Sequence, residues 1–254
     1  RLNRSLTESI ATGGADAYAQ AVFYDEGGVA FPVGTRITNP ELADTLERIA
    51  RGGWDAFYSG PRAAALALAI DAATPKPRGI TPADIAAYRA KEREPVCGTY
   101  RSYRVCGMGP PSSGGVAVLQ MLGQLERFDL AALGPDSPTF WHLLLESQRL
   151  AYADRELYMG DDDFVQVPTQ ALVQPDYIAQ RSALISPDRT LESVAAGQPG
   201  GVACDCADGD EGPESGTSHF SVADGAGNVV SYTPTIESAF GSGLVHDGYY
   251  LNNE

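Results

Sequence analysis

A chain of 254 residues, 43% of them hydrophobic, can bury a sizeable core and fold as one or two domains. Its formal charge of −15 sets it against phosphate backbones and anionic lipid, which disfavours nucleic acid and membrane surfaces as partners. No apolar run approaches the ~18 residues of a membrane span, and residues 1–15 hold no secretory h-region, so the chain reads either as one trimmed of a leader or as an internal piece of something longer.

Asn39-Pro40-Glu41 is a helix start, with Asn as cap and Pro in the first turn. Leu42, Leu46 and Ile49 make its apolar face, and Gly52-Gly53 ends it. Ala56 to Ala73 is Ala/Leu-rich and helical, and Thr81-Pro82-Ala83-Asp84 opens another helix with Ile85 and Tyr88 inward. Residues 95–108 form a hairpin turning at Arg101-Ser102, which sets Tyr100 opposite Tyr103 and Cys97 opposite Cys106. Such cross-strand neighbours lie ~4.5–5.5 Å apart, compatible with a disulfide; the alternative is four reduced thiols. Cys204-Asp205-Cys206 is too cramped for an easy bridge and has no second Cys/His pair for zinc. One feasible bridge in an even cysteine count points to an oxidising, exported location, periplasmic or extracellular.

Pro110 to Gly115 is a loop feeding a helix from Val116 to Arg127. It is a rigid connector, or less readily an anion cradle. Pro138 to Tyr158 is a long helix, Asp161 to Val167 a loop, and Gln174 to Ile185 a helix. Asp161-Asp162-Asp163 reads as a solvated acidic loop before a cation site, and Glu126/Arg127 and Asp154/Arg155 as surface or structural pairs. Residues 186–216, rich in Gly, Asp, Glu, Ser and Pro, read as an exposed mobile linker. From Thr217 the pattern turns to β: Phe220 and Val222, a turn over 224–228, then Val229 to Thr233. Helices followed by a late β segment give an α+β class.

The chemistry concentrates at Gly216-Thr217. A cut there frees an α-amine on Thr217 beside its own hydroxyl, a nucleophile and a base in one residue. With 224–228 as the hairpin loop, Ala223 faces Val229 and Thr235 falls opposite Thr217, a register that one slip would move. On pattern alone, two Thr in a hairpin are usually strand formers. His219 shares a face with Thr217 and reads as a packing or supporting residue, not the base.

The run Thr217-Ser218-His219-Phe220-Ser221-Val222, then Gly227-Asn228, Ser231 to Glu237, Phe240-Gly241-Ser242-Gly243 and Leu251-Asn252-Asn253, resembles the small-subunit start of γ-glutamyltranspeptidases. Gly53 to Gly60, Arg93-Glu94-Pro95-Val96, Pro110 to Gly115 and Ala151 to Arg155 resemble that family's large subunit. Several long motifs in family order span nearly all of residues 30–254.

The resemblance implies an N-terminal-nucleophile (Ntn) hydrolase with an αββα sandwich, here incomplete at both ends. It implies a division into residues 1–216, the end of a large subunit, and 217–254, the start of a small one, with the remaining segments of the same precursor as partners. It implies self-cleavage at Gly216–Thr217, Thr217 as nucleophile and Thr235 as its assistant. The reaction is transfer of a γ-glutamyl group, from glutathione-like amides, to water or to an amino acid or peptide, with no metal or organic cofactor. Glu237 stands where glutathione-processing members carry an Asn that contacts the donor. This tilts the chain toward the branch with capsule poly-γ-glutamate depolymerases and cephalosporin acylases. The rivals are therefore a same-fold amidase or acylase, and a non-catalytic relative or inert fragment.

Overall fold

The structure is a computed structural model and describes residues 17–73, 79–200, 216–238 and 240–253. The chain divides into two compact units, residues 1–90 with 212–254, and residues 91–211. The division expected at 216/217 concerns chain processing, not packing.

Among the described residues, the early part of the first unit holds five helices: α1 (Ala17–Phe23), α2 (Pro40–Gly52), α3 (Asp55–Tyr58), α4 (Gly60–Ala73) and α5 (Pro82–Ala87). The sequence reading has no counterpart to α1. At the start of α2 the Asn39 side chain accepts from the Leu42 amide at 3.0 Å, satisfying one orphan donor of the first turn. At its end Gly53, with φ 62, donates to the Ile49 carbonyl. The buried residue is Thr45, while Leu46 is 56% exposed, so Leu46 drops out of the expected apolar face and Leu42 and Ile49 remain half-buried. Thr45 turns inward because its hydroxyl finds a partner there, the Asp247 carbonyl at 2.9 Å.

The single helix expected over 56–73 is broken at Ser59, which is extended and donates its amide and hydroxyl back to the Asp55 carbonyl. The capping box of α5 forms: Thr81 and Asp84 each accept from the other's backbone. Tyr88 does not face inward. It is 53% exposed and extends a stack in which Tyr88 lies on Tyr58 and Tyr58 on Trp54, at 5.1 and 5.0 Å. The Arg89 guanidinium covers the Trp54 ring at 3.9 Å.

The second unit holds strands β1 (Val96–Tyr100) and β2 (Tyr103–Gly107), then α6 (Gly114–Leu125), α7 (Leu130–Leu133), α8 (Pro138–Tyr158), α9 (Thr169–Leu172) and α10 (Pro175–Ala183). The hairpin pairs Tyr100 with Tyr103 and Cys97 with Cys106. The two cysteines are joined, with Cα atoms 4.1 Å apart. Arg101 turns the corner at φ 54 and its guanidinium donates to the carbonyls of Glu126 and Phe128. The end of the hairpin passes the start of α6 at backbone contact. A Cβ on Gly115 would lie 2.4 Å from the Met108 carbonyl oxygen, so only glycine fits.

Two apolar clusters fill this unit. Val96, Val116, Leu119, Tyr158, Leu172 and Tyr177 form one, and Leu125, Leu143, Leu150 and Ile185 the other. Between α6, α8 and α10 lies a buried polar knot. Asp154 pairs with Arg181 at 2.9 Å and accepts from Gln120, Tyr177 and the Gly197 amide. Burial, then the Asp154 carboxylate, pushes the Tyr177 hydroxyl well above its ordinary pKa.

Three expectations are corrected here. Asp154 pairs with Arg181, not with Arg155, whose guanidinium reaches Glu156 and Ser113. Arg127 donates to Ser182 and to the Ile185 carbonyl, not to Glu126. Asp161, Asp162 and Asp163 are not simply solvated: Arg93 reaches all three and Lys91 also pairs with Asp163.

Within the expected linker, residues 186–200 form no helix or strand but are tied down. Leu191 and Val194 pack on the second cluster and Ala196 on the first. The Leu191 amide donates to Glu146, and the carbonyls of Ala195 and Gly197 accept from Arg181 and Tyr158. Residues 201–215, with Cys204 and Cys206, lie outside the described residues.

The described residues of the remainder of the first unit form two hairpins, β3 (Phe220–Ala223) with β4 (Val229–Tyr232), and β5 (Val245–His246) with β6 (Tyr249–Tyr250). The second hairpin is absent from the sequence reading. Among the described residues, each sheet is two-stranded. The described elements are thus helices with small sheets, in keeping with an α+β class.

Candidate active site

The hairpin that carries Thr217 is set by its turn. The Asp224 carboxylate accepts from the Ala226 and Asn228 amides and from the Asn228 side chain, at 2.9, 2.9 and 2.8 Å. Those bonds, the Asn228 side chain foremost, hold the Asp224 carboxyl below the usual carboxylate range. With the turn locked, Ala223 pairs with Val229 and Phe220 with Tyr232. The ladder continues past the strands through the Ser218 amide, which donates to the Pro234 carbonyl at 3.3 Å.

That register puts Thr217 beside Thr235, their hydroxyl oxygens 3.2 Å apart. The Thr217 hydroxyl donates to Thr235 Oγ1, which also accepts the Glu237 amide at 2.8 Å. The Thr235 hydroxyl proton is then directed to the Gly216 carbonyl oxygen, 3.3 Å away. A hydroxyl has one proton to give and two lone pairs to fill, so Thr235 is fully used. All three of its partners belong to the Gly216–Thr217 step or to the turn behind it. Gly216 itself has φ 144, a backbone region that side-chain-bearing residues rarely enter.

His219 lies on the same face but does not bond to Thr217. Its Nδ1 meets Thr233 Oγ1 at 2.7 Å, and its Nε2 lies between Ser221 and Ser231. Alternation along the ladder gives this face Thr217, His219 and Ser221 with their hydroxyl partners. The other face carries Phe220 and Tyr232, with rings 5.3 Å apart.

Glu237 follows the second Thr with φ 66. One of its carboxylate oxygens accepts from the Ser238 hydroxyl at 2.8 Å and from Asn253 Nδ2 at 2.7 Å. Asn253 Oδ1 accepts the Ser238 amide in return, and Asn252 Nδ2 donates to the Thr235 carbonyl. The structure therefore brings Gly216, Thr217 and Thr235 together with the backbone amide of Glu237, turns the Glu237 carboxylate to Ser238 and Asn253, leaves His219 one step along the ladder, and keeps the Cys97–Cys106 bridge in the other unit. Sequence reasoning missed Ser238 and the way Asn253 grips Glu237. The Asn252-Asn253 pair is plain in the sequence, but the two-residue strands that lead it back to Glu237 leave no periodicity to read.

Residues 2–254 match the sequence profile described as Gamma-glutamyltranspeptidase. The chain belongs to the γ-glutamyltranspeptidase family. Its relatives in that family include a protein named glutathione hydrolase proenzyme from Escherichia coli (strain K12), 36% identical over 261 residues. That alignment covers 100% of this chain and 43% of the relative. Among solved structures, the Helicobacter pylori γ-glutamyltranspeptidase superposes with a TM-score of 0.71 at 32% identity, covering 80% of this chain and 58% of that one. A cephalosporin acylase from Bacillus halodurans superposes with a TM-score of 0.79 at 26% identity, covering 99% and 43%. The chain thus spans less than half the length of the E. coli relative, with both γ-glutamyltranspeptidase and acylase structures among its neighbours.

Proposed function

We propose that this chain carries the cleavage and nucleophile region of a self-processing threonine enzyme that transfers γ-glutamyl groups. The observation that carries the reading is the hydrogen-bond chain from Thr217 through Thr235 to the Gly216 carbonyl. In the uncut chain, attack of Thr217 Oγ1 on the Gly216 carbonyl carbon closes a small ring. The Thr235 hydroxyl is aimed at the oxygen on which negative charge then develops. Collapse of the ring breaks the Gly216–Thr217 amide, the departing nitrogen taking up the proton lost from Oγ1 to become the free Thr217 amine, and leaves an ester; water then hydrolyses the ester to a Gly216 carboxylate and the Thr217 hydroxyl. That amine, with an ordinary pKa of about 7.7–8.0, serves as the base for the hydroxyl next to it.

The same oxygen then attacks the carbonyl of a γ-glutamyl amide such as glutathione, breaking its C–N bond; the departing amine takes the proton that the Thr217 amine drew from the hydroxyl. The acyl group passes from Thr217 to water, or to the amine of an amino acid or peptide. Glu237 offers a carboxylate to the donor's α-ammonium, already oriented by Asn253 and Ser238. The remaining large- and small-subunit segments of the precursor complete an αββα sandwich around this region. The Cys97–Cys106 bridge supports an exported, oxidising location. No helix among the described residues is long and apolar enough to cross a membrane.

Intact-mass measurement of the full-length precursor tests the reading: two pieces divided before Thr217 support it, and a single uncut mass points to an inert relative. Thr235→Val removes the hydroxyl while keeping the shape, and should slow that cleavage by about a hundredfold, in line with loss of one oxyanion donor; a time course of band appearance checks it.

An acylase on a non-glutathione substrate is the second reading. It is favoured by Glu237 and by the acylase among the structural neighbours. Turnover of a γ-glutamyl anilide, with and without an acceptor dipeptide, separates the two. For a glutathione-type enzyme, Glu237→Asn should retain turnover, with KM changed more than kcat. For an acylase of another substrate class, both proteins should be nearly inert toward the anilide.

A further inference from the structure

We infer that Asp247 is a positioning residue, latching the segment after Thr217 to the helices before it and so holding Asn253 against Glu237. The inference rests on the cleavage proposed above and concerns how the severed pieces stay aligned.

Asp247 sits at the β5–β6 turn with φ 50. Its two carboxylate oxygens take two different arginines, Arg48 of α2 at 3.2 Å and Arg62 of α4 at 2.7 Å. Its carbonyl takes the Thr45 hydroxyl. The next carbonyl, of Gly248, accepts from Tyr18 of α1 and from Asn39, both at 2.8 Å. The backbone there lies so close to α2 that a Cβ on Gly248 would fall 2.2 Å from the Leu42 amide. Tyr250 then meets Tyr18 edge-on at 5.6 Å.

Every one of these contacts joins a residue before the Gly216–Thr217 bond to one after it. The chain leaving β6 delivers Asn252 to the Thr235 carbonyl and Asn253 to Glu237, and the Glu237 amide reaches Thr235 Oγ1. Asp247 touches none of the reacting atoms. It acts through Asn253 on Glu237, by fixing where the hairpin that leads to Asn253 rests. A carboxylate shielded to 18% exposure between two guanidinium groups makes a charge-assisted anchor with a defined geometry.

The test uses the full-length precursor and a double-mutant cycle. Asp247→Asn removes the charge but suits the left-handed backbone. Cleavage at Gly216–Thr217 should slow about tenfold or more, and the effect should largely vanish in an Asn253→Ala background, because residues acting through one another are not additive. Arg62→Met, which leaves Arg48 and Thr45 on Asp247, keeps the test open if Asp247→Asn does not fold; it should give a smaller loss with the same dependence on Asn253. A wild type that is cut, with Asp247→Asn cut equally fast or with effects that add in full to Asn253→Ala, overturns the positioning role alone. A wild type that stays whole overturns the proposed function and this inference together.

Discussion

On the proposed function, Thr217→Ala should give a chain that is not cut and does not turn over a γ-glutamyl amide. Both losses have one origin. In the proposed mechanism the oxygen that attacks the Gly216 carbonyl is the oxygen that later takes the acyl group, and neither Thr235 nor His219 is placed to replace it. The Thr235 hydroxyl spends its proton on the Gly216 carbonyl and fills its lone pairs from Thr217 and Glu237; His219 is occupied with Thr233, Ser221 and Ser231. Removing the nucleophile of an acyl-transfer enzyme costs on the order of 10⁴-fold or more in rate. The fold is spared, because Thr217 is exposed and its loss opens no cavity. Intact mass, circular dichroism and anilide turnover on the same sample make the check. A Thr217→Ala protein that is cut, or that turns over substrate as the wild type does, sinks the assignment. Thr217→Ser, which keeps the oxygen, should still be severed.

Asp154→Ala should produce the largest loss of stability in the second unit, about 3–5 kcal/mol, the usual cost of stranding one member of a buried ion pair. Asp154 is 1% exposed and Arg181 5%. The substitution leaves the guanidinium without a counterion among the described residues and takes an acceptor from Gln120, Tyr177 and the Gly197 amide at once. The Arg181 bonds to the Leu150 and Ala195 carbonyls do not neutralise the charge. Hydrogen exchange along α8 and α10 reads the effect, with faster exchange expected there and unchanged protection in α2 and α4. Asp154→Asn, which keeps an acceptor oxygen, should lose less. Equal protection in Asp154→Ala and wild type would show that the knot is not what holds these helices.

How much of this was legible in the sequence depended on whether the deciding partner was local. The bounds of α8, the caps of α2 and α5, the 95–108 hairpin with its cysteine pair, and the Ala223–Val229 pairing all follow from turn residues and periodicity a few positions away. Where the partner is distant, local reading failed. Thr45 displaced Leu46 from the inner face of α2 because a carbonyl near the end of the chain awaited its hydroxyl. Tyr88 found an exposed stack on Tyr58 and Trp54. Asp154 ignored its neighbour Arg155 for an arginine on another helix. Residues 186–200 look like a tether by composition, yet Leu191, Val194 and the backbone around Gly197 fasten them to two clusters. At the site, the Thr217–Thr235 juxtaposition could be counted along the ladder, whereas the grip of Asn253 on Glu237 depends on a second hairpin that short strands hid.

The Asp224–Asn228 turn has a consequence well beyond its own loop. A slip of one residue along that ladder would present Thr217 with Pro234 or Ile236, neither of which has a hydroxyl to offer the Gly216 carbonyl. If severing the chain needs that hydroxyl, a misaligned molecule is never severed. Maturation then doubles as proofreading, and the two-piece population is by construction the one that folded correctly.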